Sequence, residues 1–170
     1  MNITLIGMSG AGKSYIGEKV AKELNLEYVD IDNLLEQKFG KPLPGIIGEL
    51  RDEGFVRAES EMTQTVTASK DGLLISTGGS VIYDEDAMSH LKGISFVVYL
   101  RVPFIVIEQR VSGVREREGR IVGLGKKTLE ELFNERAPLY EKYADAIVDV
   151  HGKDVGDIIS EISDTMSRNG

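Results

Sequence analysis

The residues with the clearest chemical meaning are the eight from Gly7 to Ser14, which read G-M-S-G-A-G-K-S and fit the pattern G-x-x-x-x-G-K-[ST]. Gly10 and Gly12 let the loop approach a ligand with bare backbone N–H groups, which a Cβ would obstruct. Lys13 is expected to reach the β and γ phosphates of a nucleotide, and the Ser14 hydroxyl is expected to ligate Mg²⁺. The segment predicts a triphosphate site, most simply for ATP.

A pair of carboxylates follows the next apolar run. Asp30 and Asp32 come directly after Tyr28 and Val29, and a spacing of two at a strand end directs both side chains to the same side. We interpret Asp30 as the acid on the magnesium side and Asp32 as the base that accepts the proton of an attacking hydroxyl. The alternative is that either residue caps a helix that begins near Asn33.

The third apolar run, Leu73 to Ser76, ends in Thr77-Gly78-Gly79-Ser80 and carries no acid. Two glycines at a strand end expose backbone N–H groups that suit an oxyanion or hydroxyl of a small second substrate, although a plain turn has the same composition. The guanine-reading pattern N-K-x-D does not occur in the sequence, which disfavours a GTPase. A kinase with a small second substrate fits better.

Strands and helices must alternate to position these residues. Runs rich in β-branched residues predict strands, and amphipathic stretches between them predict helices, so the chain reads as βαβ units with a parallel sheet covered on both faces. The predicted strands are Ile3–Ile6, Glu27–Ile31, Leu73–Ser76, Ile94–Leu100 and Ala146–Val150. The predicted helices are Ser14–Leu24, Phe55–Ser69, Val102–Val111, Leu129–Tyr143 and Val155–Met166.

One segment between these elements has the composition of a loop. Residues 112–128 contain four glycines, two lysines and three arginines among few apolar residues. The segment is either a mobile lid over the nucleotide or a solvated connection.

Composition limits the remaining possibilities. A chain of 170 residues with 41% apolar residues predicts one domain over 1–170. The absence of cysteine excludes disulfides and thiolate metal sites, and a net charge of -8 argues against a nucleic-acid partner. With no long apolar run and no secretion signal, we expect a cytoplasmic protein without a membrane partner, and a monomer.

The order of these motifs resembles that of the shikimate kinase family, and the resemblance extends over nearly the whole chain. The segment 7–14, a P-loop, is followed by Asp30-x-Asp32, by Ser76-Thr77-Gly78-Gly79 and by Arg136-Ala137-Pro138-Leu139-Tyr140, which matches R-x-P-L-Y. The resemblance implies a three-layer α/β/α P-loop kinase fold with a five-stranded parallel sheet of order 2-3-1-4-5. It also implies a substrate-binding region near 32–62, a lid near 112–126, and Mg²⁺-dependent transfer of the γ-phosphoryl of ATP to shikimate, a step of aromatic amino acid biosynthesis.

The same resemblance assigns roles to individual residues. Arg136 would pair with the substrate carboxylate, which suits a bidentate guanidinium, and a surface salt bridge is the alternative. Arg110 would lie beside the adenine, or would simply be solvated. The implied nucleotide-binding residues are Gly10, Ala11, Gly12, Lys13, Ser14, Tyr15, Arg110 and Arg120. The implied substrate-binding residues are Asp32, Arg57, Gly78, Gly79 and Arg136, the catalytic residues Lys13, Asp32 and Arg120, and the metal ligands Ser14 and Asp30.

Three departures from the family pattern concern the acceptor and the lid. Val56 replaces the arginine of F-R-x-x-E, and Arg57 is displaced by one residue, about 100° around a helix. Ser80 replaces a third glycine and is expected to add a side chain at the pocket mouth. Arg120-Ile121-Val122-Gly123 replaces R-P-L-L, so the lid arginine that stabilises the transferred phosphoryl is Arg120, or else Arg117.

These departures leave other acceptors open. Homoserine and gluconate-type polyols are the alternatives within the kinase class. From another class, a regulatory module could retain the nucleotide site and lose the acceptor site. The presence of Asp32 and Arg136 together with Lys13 and Ser14 favours the enzyme.

Overall fold

The computed structural model describes residues 1–169, and its strands and helices alternate along the chain. The strands are β1 (Asn2–Ile6), β2 (Glu27–Asp30), β3 (Leu73–Ser76), β4 (Ser95–Arg101) and β5 (Ala146–Asp149). The helices are α1 (Lys13–Glu23), α2 (Ile31–Phe39), α3 (Leu43–Thr67), α4 (Glu85–Ile94), α5 (Phe104–Val111), α6 (Arg115–Glu118), α7 (Leu129–Tyr143) and α8 (Val155–Asn169), with a 3₁₀ turn at Val81–Tyr83.

The strands form one parallel sheet of order β2-β3-β1-β4-β5 with helices on both faces, which confirms the predicted fold. Every residue of β1 and of β3 is buried, as expected for inner strands covered on both sides. Strand β5 lies at an edge and alternates between buried and exposed residues. The carboxyl ends of β1, β2 and β3 therefore meet at one edge of the sheet, where the predicted site residues follow them.

Several predicted boundaries were wrong. Ile31 begins α2 rather than ending β2, and Ile94 ends α4 rather than beginning β4. Helix α2 was expected only as the alternative in which Asp30 or Asp32 caps a helix near Asn33, and α4 was not predicted. Each begins with an aspartate N-cap, since Asp30 accepts from Asn33 N and Asp84 accepts from Ala87 N. Both signals for α4 were present in the sequence, in the Asp84 cap and in the helical spacing of the buried Ala87, Met88 and Leu91, and the helix was missed because it is short.

Helix α3 is longer than predicted and is interrupted. It begins at Leu43, twelve residues before the predicted start at Phe55, and Arg51 within it has φ 62° and ψ 173°. A side chain rarely adopts this backbone conformation, because it is almost restricted to glycine. The break redirects the second half of α3, which buries Phe55 and Glu59.

Among the helices of residues 1–169, none is both long enough and apolar enough to cross a membrane.

Candidate active site

The P-loop connects β1 to α1 at the carboxyl edge of the sheet. Gly10 and Gly12 have φ of 86° and 92°, in the left-handed region where glycine is favoured. Gly12 is the N-cap of α1 and contributes no side-chain hydrogen bond, so the first N–H groups of this helix are free to bind an anion. The loop therefore has the geometry that its sequence predicts for a phosphate site.

The Lys13 ammonium is buried inside this loop. Its Nζ donates to the carbonyl oxygen of Gly7 at 2.7 Å and to that of Met8 at 2.9 Å. Burial lowers the pKa of Lys13 to about 8, although Asp32, Glu59 and Asp30 act in the opposite direction. The loop thus holds a poorly solvated cation that can exchange carbonyl partners for phosphate oxygens.

Asp30 caps α2 and also contacts the P-loop serine, and its role as the acid on the magnesium side stays a prediction. Its Oδ1 accepts from Asn33 N at 3.1 Å and caps α2, while its Oδ2 accepts from Ser14 Oγ at 2.9 Å. Tyr28 OH donates to the same Oδ2 at 2.9 Å. Residues 1–169 contain no group of three or more His, Cys, Asp or Glu side chains placed to hold a metal. The neighbouring Ser14 and Asp30 oxygens nevertheless fit Mg²⁺, which takes few protein ligands and fills the others with water and phosphate oxygens.

Asp32 is the second residue of α2 and faces the glycine segment after β3. The residue is partly exposed, but its Oδ1 is buried and has no hydrogen-bond partner within residues 1–169. A Cβ on Gly78 would lie 2.9 Å from this oxygen, so the glycine is needed for the close approach. Burial raises the pKa of Asp32 to about 6, while the charge of Lys13 lowers it. The group is therefore mostly ionised at neutral pH and able to accept a proton.

Glu59 is a site residue that sequence reasoning did not assign. Its side chain is fully buried, its Oε2 accepts from Ser80 Oγ at 2.7 Å, and its Oε1 has no partner within residues 1–169. Burial and the nearby Asp32 raise the pKa of Glu59 to about 8. The expectation that Ser80 adds a side chain at the pocket mouth was wrong, because Ser80 is buried and turned toward Glu59. The sequence signal that could have identified Glu59 was its position as the glutamate of the family pattern F-R-x-x-E.

Arg136 lies inside the protein, so the alternative of a surface salt bridge is excluded. Its Nη2 donates to the carbonyl of Val122 at 2.6 Å, its Nε donates to Tyr83 OH at 3.2 Å, and the guanidinium lies 5.2 Å from the centre of the Tyr83 ring. A Cβ on Gly79 would lie 3.2 Å from its Nη1. Tyr140, one turn along α7, donates to the Gly79 carbonyl at 2.5 Å. The R-x-P-L-Y motif thus packs both its polar ends against the glycine segment.

Both candidate lid arginines reach the nucleotide side. A cavity of about 610 Å³ contains the P-loop, Asp32 and three arginines; its lining includes Ser9, Gly10, Gly12, Lys13, Ser14, Tyr15, Asp32, Ser76, Thr77, Arg110, Val111, Arg117 and Arg120. Arg110 donates to the carbonyl of Gly10 at 2.8 Å, and Arg117 donates to that of Arg110. Arg120 pairs with Glu36 of α2 at 2.9 Å. The choice between Arg117 and Arg120 stays open.

The segment that holds these arginines is more than a solvated connection. It contains α6, and Ile121 and Val122 are buried.

Arg57 is exposed on α3, whereas Val56 is half-buried. Both line a recess of about 460 Å³ that also includes Tyr83 and Val122, the partners of Arg136. Arg57 therefore lies on the acceptor side, and its contact with substrate stays a prediction.

Comparison with known proteins agrees with this geometry. The family model for shikimate kinase matches residues 9–167. The chain belongs to the shikimate kinase family. It is 38% identical over 162 residues to a shikimate kinase of Francisella tularensis subsp. holarctica, covering 95% of this chain and 92% of that one.

Solved structures of the shikimate kinase family have the same fold. One is the shikimate kinase from Acinetobacter baumannii in complex with shikimate, with a TM-score of 0.87 and 30% identity over 99% of this chain and 93% of that chain. Another is the shikimate kinase from Aquifex aeolicus, with a TM-score of 0.85 and 28% identity over 99% and 98%. A gluconokinase from Sinorhizobium meliloti, at 18% identity and a TM-score of 0.57, shares the fold alone.

Proposed function

We propose that this protein is a shikimate kinase, which transfers the γ-phosphoryl group of ATP to a hydroxyl of shikimate. The observation that carries the proposal is the convergence of Asp32 and Arg136 on adjacent glycines beside the P-loop. Asp32 faces Gly78 and Arg136 faces Gly79, so a base and a carboxylate-binding cation border one small site. The relative from Acinetobacter baumannii, solved with shikimate, supports this acceptor.

The roles of the residues follow from their positions. Lys13 and the free N–H groups of the P-loop bind the phosphates, and Asp32 accepts the proton of the attacking hydroxyl. Arg136 orients the acceptor through its carboxylate, and Arg120 or Arg117 stabilises charge on the transferred group. Ser14 and Asp30 would hold Mg²⁺, which neutralises phosphate charge when bound.

The remaining expectations have not been tested. One domain over 1–170, a monomeric state and a cytoplasmic location stay predictions. Among the alternative acceptors, homoserine is the one that the replacement of the family arginine by Val56 favours, because one arginine and an acid would suffice to bind it. Nothing in the described site resembles a regulatory module that has lost its acceptor side.

A direct test is an Asp32→Asn variant assayed with ATP, Mg²⁺ and a panel of shikimate, homoserine and gluconate. The wild-type protein should phosphorylate shikimate, and the variant should lose about 10²-fold or more in kcat while it still binds ATP. For the wild type, kcat/KM should fall about tenfold per pH unit below about pH 6, as Asp32 becomes protonated.

The matched control is Asp71→Asn, which changes an exposed aspartate remote from the site. Its turnover should equal that of the wild type. Turnover with homoserine alone would reject shikimate as the acceptor, and full activity of Asp32→Asn would reject Asp32 as the base.

A further inference from the structure

Glu36, on α2, joins the lid to the start of α3 through a single carboxylate oxygen. Its Oε1 accepts from Arg120 Nη2 at 2.9 Å and from the backbone N–H of Leu43 at 2.8 Å. Leu43 is the first residue of α3, and the N-cap residue before it, Pro42, has no side chain that accepts a hydrogen bond. Glu36 therefore provides the cap that the proline lacks, and its carboxylate is held in place independently of the lid.

The helix that carries Glu36 also carries the proposed base. Asp32 and Glu36 are four residues apart on α2, which places them on one face of the helix, one turn apart. Arg120 lines the nucleotide cavity together with Asp32, and its charge lowers the pKa of Asp32. The guanidinium that Glu36 holds therefore borders the cavity that the P-loop and the base share.

The lid packs against α3 beside this contact. A Cβ on Gly119 would lie 2.9 Å from the Cβ of Pro44, so the lid backbone touches the first turn of α3 directly before Arg120. A cleft of about 650 Å³ adjoins this contact and is lined in part by Glu36 and Arg120. The ion pair thus lies where the lid meets α3, and the Glu36 side chain is only 25% exposed.

Arg117, the other candidate lid arginine, is held differently. It donates to the carbonyl of Arg110, whose own guanidinium donates to the carbonyl of Gly10. A charge-assisted bond to an anchored carboxylate restrains a guanidinium more than a bond to a neutral carbonyl does. Of the two lid arginines, Arg120 is therefore the one that the fold orders more strongly before a nucleotide binds.

We propose that Glu36 is a positioning residue that orders Arg120 for transfer of the phosphoryl group. The proposal rests on the proposed function, and it makes Arg120, rather than Arg117, the arginine that stabilises the transferred group. Within residues 1–169, only Nη2 of Arg120 makes a side-chain hydrogen bond, which leaves its other N–H groups for phosphate oxygens. Because the guanidinium is already ordered, transfer does not require a further loss of its side-chain freedom.

Glu36→Gln separates this role from the capping of α3. A glutamine still accepts from Leu43 N but carries no charge, and a partly exposed ion pair adds little to stability, so the variant should melt like the wild type. Its kcat should fall about tenfold, with little change in the KM for ATP or for shikimate. The matched control is Glu49→Gln, which removes an exposed pair with Lys41 and should leave kcat unchanged.

A double-mutant cycle shows whether Glu36 acts through Arg120. Arg120→Ala should lower kcat about 10²-fold in the wild type but only about tenfold in the Glu36→Gln background. Arg117→Ala should lower kcat by the same factor in both backgrounds. Equal losses for Arg120→Ala in the two backgrounds, or a wild-type kcat in Glu36→Gln, would overturn the inference alone.

NMR relaxation of the Arg120 side chain tests the positioning in the ligand-free wild type, so it does not depend on the folding of a Glu36 variant. The Nε–H signal, assigned by its absence in Arg120→Ala, should be ordered in the wild type and mobile in Glu36→Gln. A mobile signal in the wild type would overturn the inference. No turnover of shikimate by the wild type would instead reject the proposed function, while the relaxation data would still show whether Glu36 orders Arg120.

Discussion

The nucleotide side and the acceptor side of this site differ in how their polar groups are satisfied. Lys13, Ser14 and Asp30 are all hydrogen-bonded to other protein groups. On the acceptor side, Asp32 and Glu59 each keep a buried oxygen without a partner in the described chain. A bound nucleotide would therefore replace existing hydrogen bonds of the protein, whereas a bound acceptor would provide partners for oxygens that have none. Removing Lys13 or Asp32, which act on the transferred phosphates and on the attacking hydroxyl, should mainly slow transfer, whereas changing Arg136 should mainly weaken acceptor binding.

The largest effect is expected for Lys13→Met. Loss of a positioned donor to the transferred phosphates should lower kcat by about 10²–10³-fold, with little change in the KM for shikimate. Steady-state kinetics with both substrates varied would measure this. Lys22→Met, an exposed position on the same helix, is the control and should be neutral. A rise in the KM for shikimate as large as the fall in kcat would show that Lys13 also serves acceptor binding, so the two sides would not be separate.

Arg136→Lys should affect the other side. A lysine keeps the charge but loses the planar, bidentate geometry, so the KM for shikimate should rise about 10-fold or more while the KM for ATP changes little. Kinetics, with a melting curve to verify folding, would measure this. The control is Arg101→Lys, at an exposed pair with Asp149. If ATP binding weakened as much as shikimate binding, Arg136 would not be specific to the acceptor.

The pH dependence of stability should identify the acceptor-side acids. Glu59 has a folded pKa of about 8 against an ordinary 4.5, so the folded state binds the extra proton. Its contribution is fully present below about pH 4.5 and is lost as pH rises through 8. The stability that Asp32 contributes is lost at lower pH, because its folded pKa is about 6. Between pH 6 and 8 the ligand-free protein should therefore lose stability, by at most about 1.4 kcal/mol per pH unit from Glu59.

Denaturant unfolding at several pH values measures this loss, and Glu59→Gln should flatten it. The charged groups that influence Glu59 are Asp32, Arg136 and Lys13. Lys13, whose pKa is lowered to about 8, acts above this range, because it adds stability as pH rises past 8. An unchanged slope in Glu59→Gln would show that Glu59 does not titrate in this window.

The smallest effect is expected at the break in α3, outside both sets of ligands. Arg51→Gly should relieve a backbone conformation that costs about 1–3 kcal/mol, offset in part by the flexibility of glycine in the unfolded chain. A net gain of about 1 kcal/mol in the free energy of unfolding should follow. Glu61→Gly, at an exposed and regular position of the same helix, should instead lose about 1 kcal/mol. Destabilisation by both would show that the break carries no strain.

The sequence by itself determined the phosphate-binding loop, because a contiguous loop binds phosphates with its own backbone and all its information is local. Alternating apolar runs also predicted the five strands, while their order came from the family resemblance and not from periodicity. Helix α2 entered only as an alternative and α4 was missed, because short helices are stabilised by packing more than by propensity.

Only the tertiary structure decided how the acceptor-side residues are buried and paired, although Asp32, Gly78, Gly79 and Arg136 were predicted before it. The contact of Ser80 with Glu59 joins residues 21 apart, and the contact of Arg136 with Val122 joins residues 14 apart. Neither burial nor a missing hydrogen-bond partner can be read from the type of a residue. Both depend on which other elements the fold brings against it, and the break at Arg51 redirects the half of α3 that buries Glu59.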